Sequence, residues 1–383
     1  MRPFRCALVL AFLTVACTTT TTTEQVPPTG SSPAPTATSS PEPAATLADG
    51  TPLPEGCAGR VRRSQTVAFV AGGRAWSLDP STGQLACLFT LDDPGPFSWG
   101  PQGDRVLLAG LEVLGVDQDA PTLPPIDAEA IAFDWGHPIG LAIVFAGDQG
   151  RPEKRFVDDG SVERLRSLPA GAYGQVAYHP SGLALGFALT DAEGDSIWIS
   201  TNEGEDPERL VFSKGSTAFT SIAFSPDGQR LWWTAEHAPG YPVVHWMDLA
   251  DRSGFTDTWR GPEGSVADDL RLAPDGGLLS VNTGADCDER RALVVAGKTA
   301  TPAMPDEERP TEAIGWLDRS TVLVAAGGCG DPVDLYAANV FDDDAGALVF
   351  GVELGATRTM VRDAPTEVPV PPDETEAPPG GVG

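Results

Sequence analysis

Short runs of alternating apolar and polar residues fill the chain between residues 60 and 363, with turn signals between them. The stretch SIAFSPDGQRLWW is typical: an apolar run reaches Phe224, breaks at residues 225–228 (SPDG), and then resumes. Alternation of this kind predicts β-strands with one buried face. Proline presets φ, aspartate bonds the local backbone and glycine accepts positive φ, so the break predicts a tight hairpin turn.

The same break recurs along the chain at nearly regular spacing. Its full form is an aromatic residue followed by X-Pro-X-Gly, and some copies lose the aromatic residue or the turn. The steps between successive copies are 36, 43, 46, 48 and 44 residues. An all-strand repeat of this length predicts the blades of a β-propeller. The copies begin at Trp99, Trp135, Tyr178, Phe224, Leu272 and Trp316.

A second series of strands provides a check on the number of blades. Strands about 22 residues after the breaks are centred on aromatic residues such as Trp198, Trp246 and Tyr336, and the strand around Trp76 has the same form without a preceding break. We predict an all-β, seven-bladed propeller, with six blades and an irregular lead-in as the alternative. The predicted blades are 60–92, 95–127, 130–170, 174–214, 219–261, 265–305 and 311–353.

The first predicted blade lacks its innermost strand. An open ring of sheets would leave unpaired strand edges, which proteins avoid. Residues 356–363 (ATRTMVRD) follow the last blade directly. We therefore predict that this segment returns to the first blade and closes the ring by strand exchange.

The repeated FSPDGxxL unit, seen at residues 224–231, resembles the repeat of TolB-type, WD-repeat-like propellers. The resemblance covers residues 60–353 and is clearest in blades 219–261 and 265–305. The WD dipeptide that ends true WD blades is absent. The resemblance implies a periplasmic or surface propeller that binds proteins or small ligands. Some relatives add a hydrolase domain after the propeller, whereas here a proline-rich tail follows.

The first residues have the form of an export signal. Arg2 and Arg5 precede an apolar run of 11 residues, CALVLAFLTVA. This run is too short to span a bilayer. The sequence LTVAC, ending at Cys17, resembles a bacterial lipobox, although Thr14 stands where leucine is usual. We expect a signal peptide at 1–16 and lipidation of Cys17; the alternative is ordinary cleavage nearby, and both give an extracytoplasmic protein.

Two further segments have compositions that cannot build a core. Residues 17–56 consist almost entirely of Thr, Pro, Ser, Ala and Gly, and residues 364–383 are rich in proline and acids. Such compositions predict disorder. We expect a disordered, lipid-anchored linker at 17–56, a folded propeller at 57–363 and a disordered tail at 364–383.

The charge of the chain limits its partners. There are 54 acidic and 25 basic residues, which gives a net charge of −29. This balance argues against binding to nucleic acid or to an anionic membrane surface. It favours solubility or a basic or cationic partner.

Apart from Cys6 in the signal peptide and the lipidation candidate Cys17, four cysteines remain, in a compartment that permits disulfides. Cys287 and Cys329 lie in the same loop of two adjacent predicted blades, and a pair between them leaves Cys57 to pair with Cys87. Metal ligation is the competing interpretation. It lacks a CxxC motif or a histidine at ligand spacing.

The motifs of common enzymes are missing. The sequence has no GxSxG, HExxH, P-loop or GxGxxG motif, so we expect no catalytic residues, no cofactor and no metal. His137 and His179 occupy turn positions, and His245 lies beside Trp246 in a predicted strand. His237, in a loop, is the histidine best placed to face a ligand.

The loops between the second and third strands of the blades should share one face of the ring, and they are rich in acids. If these side chains converge, they form a docking face for a basic protein segment or a cation. The alternative is that loops are polar and the whole protein is acidic. We call this set the acidic rim: Asp148, Asp191, Glu193, Asp195, Glu236, His237, Asp286, Asp288, Glu289 and Asp331.

These features predict a monomeric, lipid-anchored, extracytoplasmic propeller that binds or scaffolds an envelope protein or a basic peptide segment. The alternative is a sensor or enzyme that uses the mouth of the propeller channel to bind a small ligand, a carbohydrate or a metal. The sequence names no particular partner.

Overall fold

The computed structural model describes parts of one compact unit, Ala44–Gly383. The predicted signal peptide, linker and tail, together with Cys17 and Cys57, lie outside the described residues. The described residues are 67–71, 74–79, 82, 84–90, 98–99, 105–107, 113–115, 123, 142–146, 152–165, 167–214, 218–237, 240–252, 254, 256–327, 333–341, 347–351 and 358–361.

Every extended element in these residues is a β-strand in an antiparallel sheet. Seven sheets are described, one in each predicted blade segment, five with four strands and two with three. Among the described residues no helix is long and apolar enough to cross a membrane. The first three sheets are β1 (Val67–Ala71), β2 (Arg74–Asp79) and β3 (Gln84–Thr90); β4 (Ser98–Trp99), β5 (Arg105–Leu107) and β6 (Val113–Gly115); and β7 (Ala142–Ala146), β8 (Pro152–Phe156) and β9 (Val162–Arg164).

The next four sheets each contain four consecutive strands. The fourth comprises β10 (Ala172–Tyr178), β11 (Ala184–Thr190), β12 (Asp195–Thr201) and β13 (Glu208–Ser213). The fifth comprises β14 (Ala218–Phe224), β15 (Arg230–His237), β16 (Tyr241–Asp248) and β17 (Thr256–Arg260). The sixth comprises β18 (Val266–Leu272), β19 (Leu279–Gly284), β20 (Arg291–Ala296) and β21 (Thr299–Pro302), and the seventh β22 (Thr311–Trp316), β23 (Thr321–Ala326), β24 (Asp334–Asn339) and β25 (Ala347–Gly351).

The last strand, β26 (Arg358–Val361), completes the first sheet. It pairs antiparallel with β1, in a register that runs from Val67 opposite Val361 to Val70 opposite Arg358. It also contacts β22 and β4, the first strands of the seventh and second sheets. The predicted strand exchange is therefore confirmed, and the edge of the first sheet is covered by the end of the chain.

The SPDG break is a hairpin turn, as predicted. The Gly228 N–H donates to the Ser225 carbonyl at 2.8 Å. Gly228 has a φ of 69°, which favours glycine. The equivalent turns at Gly182 and Gly276 repeat the same hydrogen bond and a φ of 70°. Three copies of the repeat thus use one turn geometry between the first and second strands of a sheet.

The core lies between neighbouring sheets. Trp232 and Trp233 are adjacent on β15, so their side chains leave opposite faces of the fifth sheet. Trp233 packs in a cluster with Ile199 and Val211 of the fourth sheet, whereas Trp232 packs in a cluster with Leu279 of the sixth. Burial of a large apolar side chain contributes roughly 1.5–3 kcal/mol. These two residues therefore join three consecutive sheets.

Buried polar side chains also link the sheets. Asn282 on β19 is 1% exposed. Its Oδ1 accepts from the Ala313 N–H at 2.7 Å and its Nδ2 donates to the Ala313 carbonyl at 3.2 Å. Ser221 Oγ accepts in the same way from the Leu270 N–H at 3.0 Å. These side chains satisfy buried backbone groups of the next sheet, which would otherwise be costly.

Two cysteines of the folded region are described. Cys87 and Cys287 are both disulfide-bonded. Cys57 and Cys329 lie outside the described residues. The pairings Cys57–Cys87 and Cys287–Cys329 therefore stay predictions.

Removal of the closing strand is expected to destabilise the propeller. Truncation after residue 353 removes β26, whereas truncation after residue 363 removes only the predicted tail. The shorter chain should lose about 3 kcal/mol or more, since four residue pairs between β26 and β1 disappear. Urea denaturation of both chains measures the difference, and equal midpoints would contradict the closing role of β26.

Asn282→Ala should also destabilise the fold, by about 2–4 kcal/mol, because it leaves the buried N–H and carbonyl of Ala313 unpaired. Asn202→Ala is the matched control. The half-buried Asn202 makes one such bond, from Nδ2 to the Gly182 carbonyl at 2.8 Å. Its loss should cost under about 1 kcal/mol. A similar cost for both variants in urea denaturation would show that Asn282 does not act as an inter-sheet link.

Candidate functional site

The described members of the acidic rim lie in or beside the connections between second and third strands. Asp195 begins β12, and Glu236 and His237 end β15; the others lie within the connections. The rim members in the fourth, fifth and sixth sheets are described, at the β11–β12, β15–β16 and β19–β20 connections. Asp148 and Asp331 lie outside the described residues. Because the strands are antiparallel, these connections occupy the same end of each sheet, opposite the SPDG-type turns.

In the fourth sheet, the rim carboxylates shape their own turn. Asp191 Oδ1 accepts from the N–H groups of Glu193 and Gly194 at 2.7 and 3.2 Å. Asp195 Oδ1 accepts from Thr190 Oγ1 at 2.5 Å. Glu193 is exposed, and its carboxylate lies 3.3 Å from the guanidinium of Arg209. The fourth-sheet part of the rim is therefore largely committed to local contacts.

The rim carboxylates of the sixth sheet are more accessible to a binding partner than those of the fourth sheet. Asp286 Oδ1 accepts from the N–H groups of Asp288 and Glu289 at 3.1 and 3.2 Å. Asp286 therefore builds the turn on which the other two stand. All three acidic side chains are exposed. This turn presents the carboxylates of Asp288 and Glu289 to solvent from a preset backbone.

Beside this turn, Arg290 is tied to two other carboxylates. Its guanidinium makes a bidentate pair with Asp268 at 2.8 and 2.9 Å and a third bond to Glu312 at 3.0 Å. Burial lowers the pKa of Arg290, but its bonds to Asp268 and Glu312 outweigh burial and raise the pKa above its usual value. Sequence analysis did not predict these ion pairs of Arg290, because the three residues come from separate strands and loops.

The described rim acids do not form a metal-binding cluster. Among the described residues, no three His, Cys, Asp or Glu side chains are grouped so that they could hold a metal ion. Each described rim loop keeps its carboxylates within its own sheet. The described rim thus has the form of a charged edge.

A chain of hydrogen bonds crosses the fifth sheet. His245 Nδ1 lies 2.9 Å from a carboxylate oxygen of Asp257, and His245 Nε2 lies 3.0 Å from His237 Nε2. With Nδ1–H donating to Asp257, His245 Nε2 accepts from His237. His237 also stacks on Tyr241, with ring centroids 6.0 Å apart. The sequence singled out His237 as a ligand-facing residue, but the structure engages it inside the sheet.

His245 is held neutral by its surroundings. Its side chain is 3% exposed. Burial lowers the pKa of His245 to about 4, although the nearby Asp257 carboxylate partly opposes this shift. The His245 ring is buried and stacks on the Trp233 ring, with the centroids 5.4 Å apart. Its hydrogen-bond partner Asp257 was missed, because 12 residues separate the two in the sequence.

The buried His245 predicts a pH effect on stability. Its pKa is lower in the folded state than in the unfolded state, so the unfolded chain binds the proton first as pH falls. Between pH 6.5 and pH 4 the folded state should therefore lose up to roughly 3 kcal/mol through this residue. Urea denaturation at a series of pH values checks this for the wild type and His245→Gln. Parallel curves for the two proteins would show that His245 does not contribute.

No protein-family model and no curated protein matches the sequence. Solved structures do match. A structure from a study of two prolyl endopeptidases has a TM-score of 0.54 at 14% identity, covering 79% of this chain and 51% of that one. The chain thus spans about half the length of that endopeptidase. Oligogalacturonate lyase in complex with manganese has a TM-score of 0.52 at 13% identity, covering 70% of this chain and 84% of that one.

TolB from Acinetobacter baumannii also matches, at 12% identity and a TM-score of 0.45, with 79% of this chain and 67% of that chain covered. At such identities a likeness concerns the fold alone. The prolyl endopeptidase and the lyase are both β-propellers. With the repeated antiparallel sheets, the likenesses to the endopeptidase and the lyase show that the chain has a β-propeller fold.

Proposed function

We propose that this chain is a lipid-anchored, extracytoplasmic propeller that binds a basic segment of an envelope protein through its acidic rim. The role is one of binding or scaffolding, without catalysis. The export signal and Cys17 support the location, and the linker at 17–56 supports a domain held away from the membrane. The chain acts as a monomer in this proposal.

The observation that carries the proposal is the rim turn of the sixth sheet. Asp288 and Glu289 are exposed on a backbone that Asp286 fixes. Arg290 is the nearest cation in the sequence, and its charge is taken up by Asp268 and Glu312. The two exposed carboxylates therefore keep their charge for a partner. Because Asp286 already holds the turn in one conformation, binding costs the turn little conformational entropy.

The charge of the whole chain supports the same partner chemistry. A net charge of −29 attracts a basic segment over long distances and speeds its association. Local contacts at the rim then fix the orientation of the complex. Electrostatic complementarity of this kind gives specificity and a salt-dependent rate of association.

The test compares two charge-reversed proteins of equal net charge. The full-length protein is immobilised and exposed to solubilised envelope proteins at low and high salt. A stoichiometric partner should bind at low salt and dissociate at high salt. The double variant Asp288→Lys, Glu289→Lys should weaken its binding by about tenfold or more.

The matched control is Glu203→Lys, Asp251→Lys. Both residues are exposed, and both lie in connections between third and fourth strands, at the end of the sheets away from the rim. Asp286 is left unchanged because it builds the turn. Equal loss of binding in both double variants would show that net charge alone attracts the partner. No salt-sensitive partner under any condition would overturn the proposal.

A further inference from the structure

A groove lies between the fifth and sixth sheets, at the end that carries the SPDG-type turns. It encloses about 380 Å³ between β17 and the β20–β21 turn, and it continues along β17 into a second space of about 520 Å³. Small-molecule sites in proteins have volumes of this order. The two parts share Asp257, Thr258 and Lys298, and we call them together the inter-sheet groove.

Two buried polar groups in the groove wall have no hydrogen-bond partner in the described part of the chain. Trp232 is 7% exposed and Thr258 is 9% exposed. Trp232 Nε1 and Thr258 Oγ1 are both buried, and neither has a hydrogen-bond partner among the described residues. An unpaired buried donor costs roughly 1–3 kcal/mol. A ligand in the groove that offers acceptors would relieve this cost at both positions.

Three cationic side chains stand along the groove, although the protein as a whole is strongly acidic. Lys298, one of only three lysines in the chain, stands on the β20–β21 turn at the groove edge. The Arg230 guanidinium lies 4.3 Å from the ring centroid of Trp246. The Arg260 guanidinium lies 4.4 Å from the ring centroid of Tyr241. Arg260 lies at the far end of β17, toward the rim, and the residues that line the groove include one carboxylate, Asp257.

The nearby carboxylates accept hydrogen bonds from neighbouring groups, and they include Asp248 opposite Arg230 and Asp275 beside Gly277. Asp257 bonds to His245 Nδ1 at 2.9 Å. Arg230 also neighbours Asp227, whose carboxylate accepts from Ser225 Oγ at 2.6 Å and from the Gln229 N–H at 3.0 Å. The aromatic rings hold Arg230 and Arg260 in place without consuming their charge. The cations of the groove therefore remain able to bind an anion.

The polar groups of the groove are almost all donors. Tryptophan Nε1–H, arginine and lysine donate hydrogen bonds and accept none. Leu279 and Val295 supply an apolar part of the wall. We propose that the inter-sheet groove binds a small organic carboxylate, with its anionic group at Arg230 and Lys298 and its body against Trp232. This site lies at the end of the sheets opposite the acidic rim, so it is independent of the partner proposed there.

The indole signal of Trp232 reports on this site directly. Each of the nine tryptophans of the chain gives one indole N–H cross-peak in a ¹H–¹⁵N correlation spectrum of the full-length protein, and Trp232→Phe identifies the one from Trp232. The probes are benzoate and glucuronate, each with an uncharged counterpart, benzyl alcohol and glucose, at equal ionic strength. At least one carboxylate should shift the Trp232 cross-peak saturably, and its counterpart should not.

Charge-removing variants complete the test. Arg230→Gln and Lys298→Gln should each weaken the binding of the carboxylate by about tenfold. Lys214→Gln, which removes an exposed lysine away from the groove, should leave it unchanged, as should the rim variant Asp288→Lys, Glu289→Lys. The proposal is overturned if no carboxylate shifts the cross-peak, if the uncharged compounds shift it equally, or if Lys214→Gln weakens binding as much as Lys298→Gln.

Discussion

The pairing of β26 with β1 is the contact on which the other sheets depend. Without it the first sheet would end in an unpaired strand, and the seventh and second sheets would lose the strand that both contact. Each sheet buries its faces against its neighbours, so a gap at one position exposes apolar surface on two sheets. Backbone hydrogen bonds between residues almost 300 positions apart in the sequence therefore hold the ends of the folded region together.

Between the sheets, two kinds of contact do different work. Apolar residues such as Trp233, Leu231 and Val211 fill the space between the sheets. Polar side chains such as Asn282 bond to single backbone groups of the next sheet, and this fixes how one sheet is positioned along the other. Loss of an apolar contact leaves a cavity, whereas loss of a polar link leaves unpaired groups, so both kinds of substitution are costly.

The alternation of strands separates the acidic rim from the inter-sheet groove. Connections between second and third strands carry the acidic rim, and connections between first and second or third and fourth strands lie at the other end. The inter-sheet groove, with Arg230 and Lys298, opens at that second end. The basic partner proposed for the rim and the organic anion proposed for the groove would therefore occupy different ends of the sheets.

The sequence by itself determined the repeat, the hairpin turns and the closing strand, because each depends on local chemistry: alternation, the Pro-X-Gly turn and an unpaired edge that must be covered. It also placed the described rim residues at the correct end of their sheets, although Asp195, Glu236 and His237 belong to strands. It could not show that Asp191 and Asp286 build their own turns, or that Arg290 pairs with Asp268 and Glu312. The contact of His237 with His245, and the unpaired Trp232 Nε1 beside Lys298, were decided only by the tertiary structure. Such contacts depend on the twist of each sheet and on the packing of neighbouring sheets, which bring together residues with no fixed spacing along the chain.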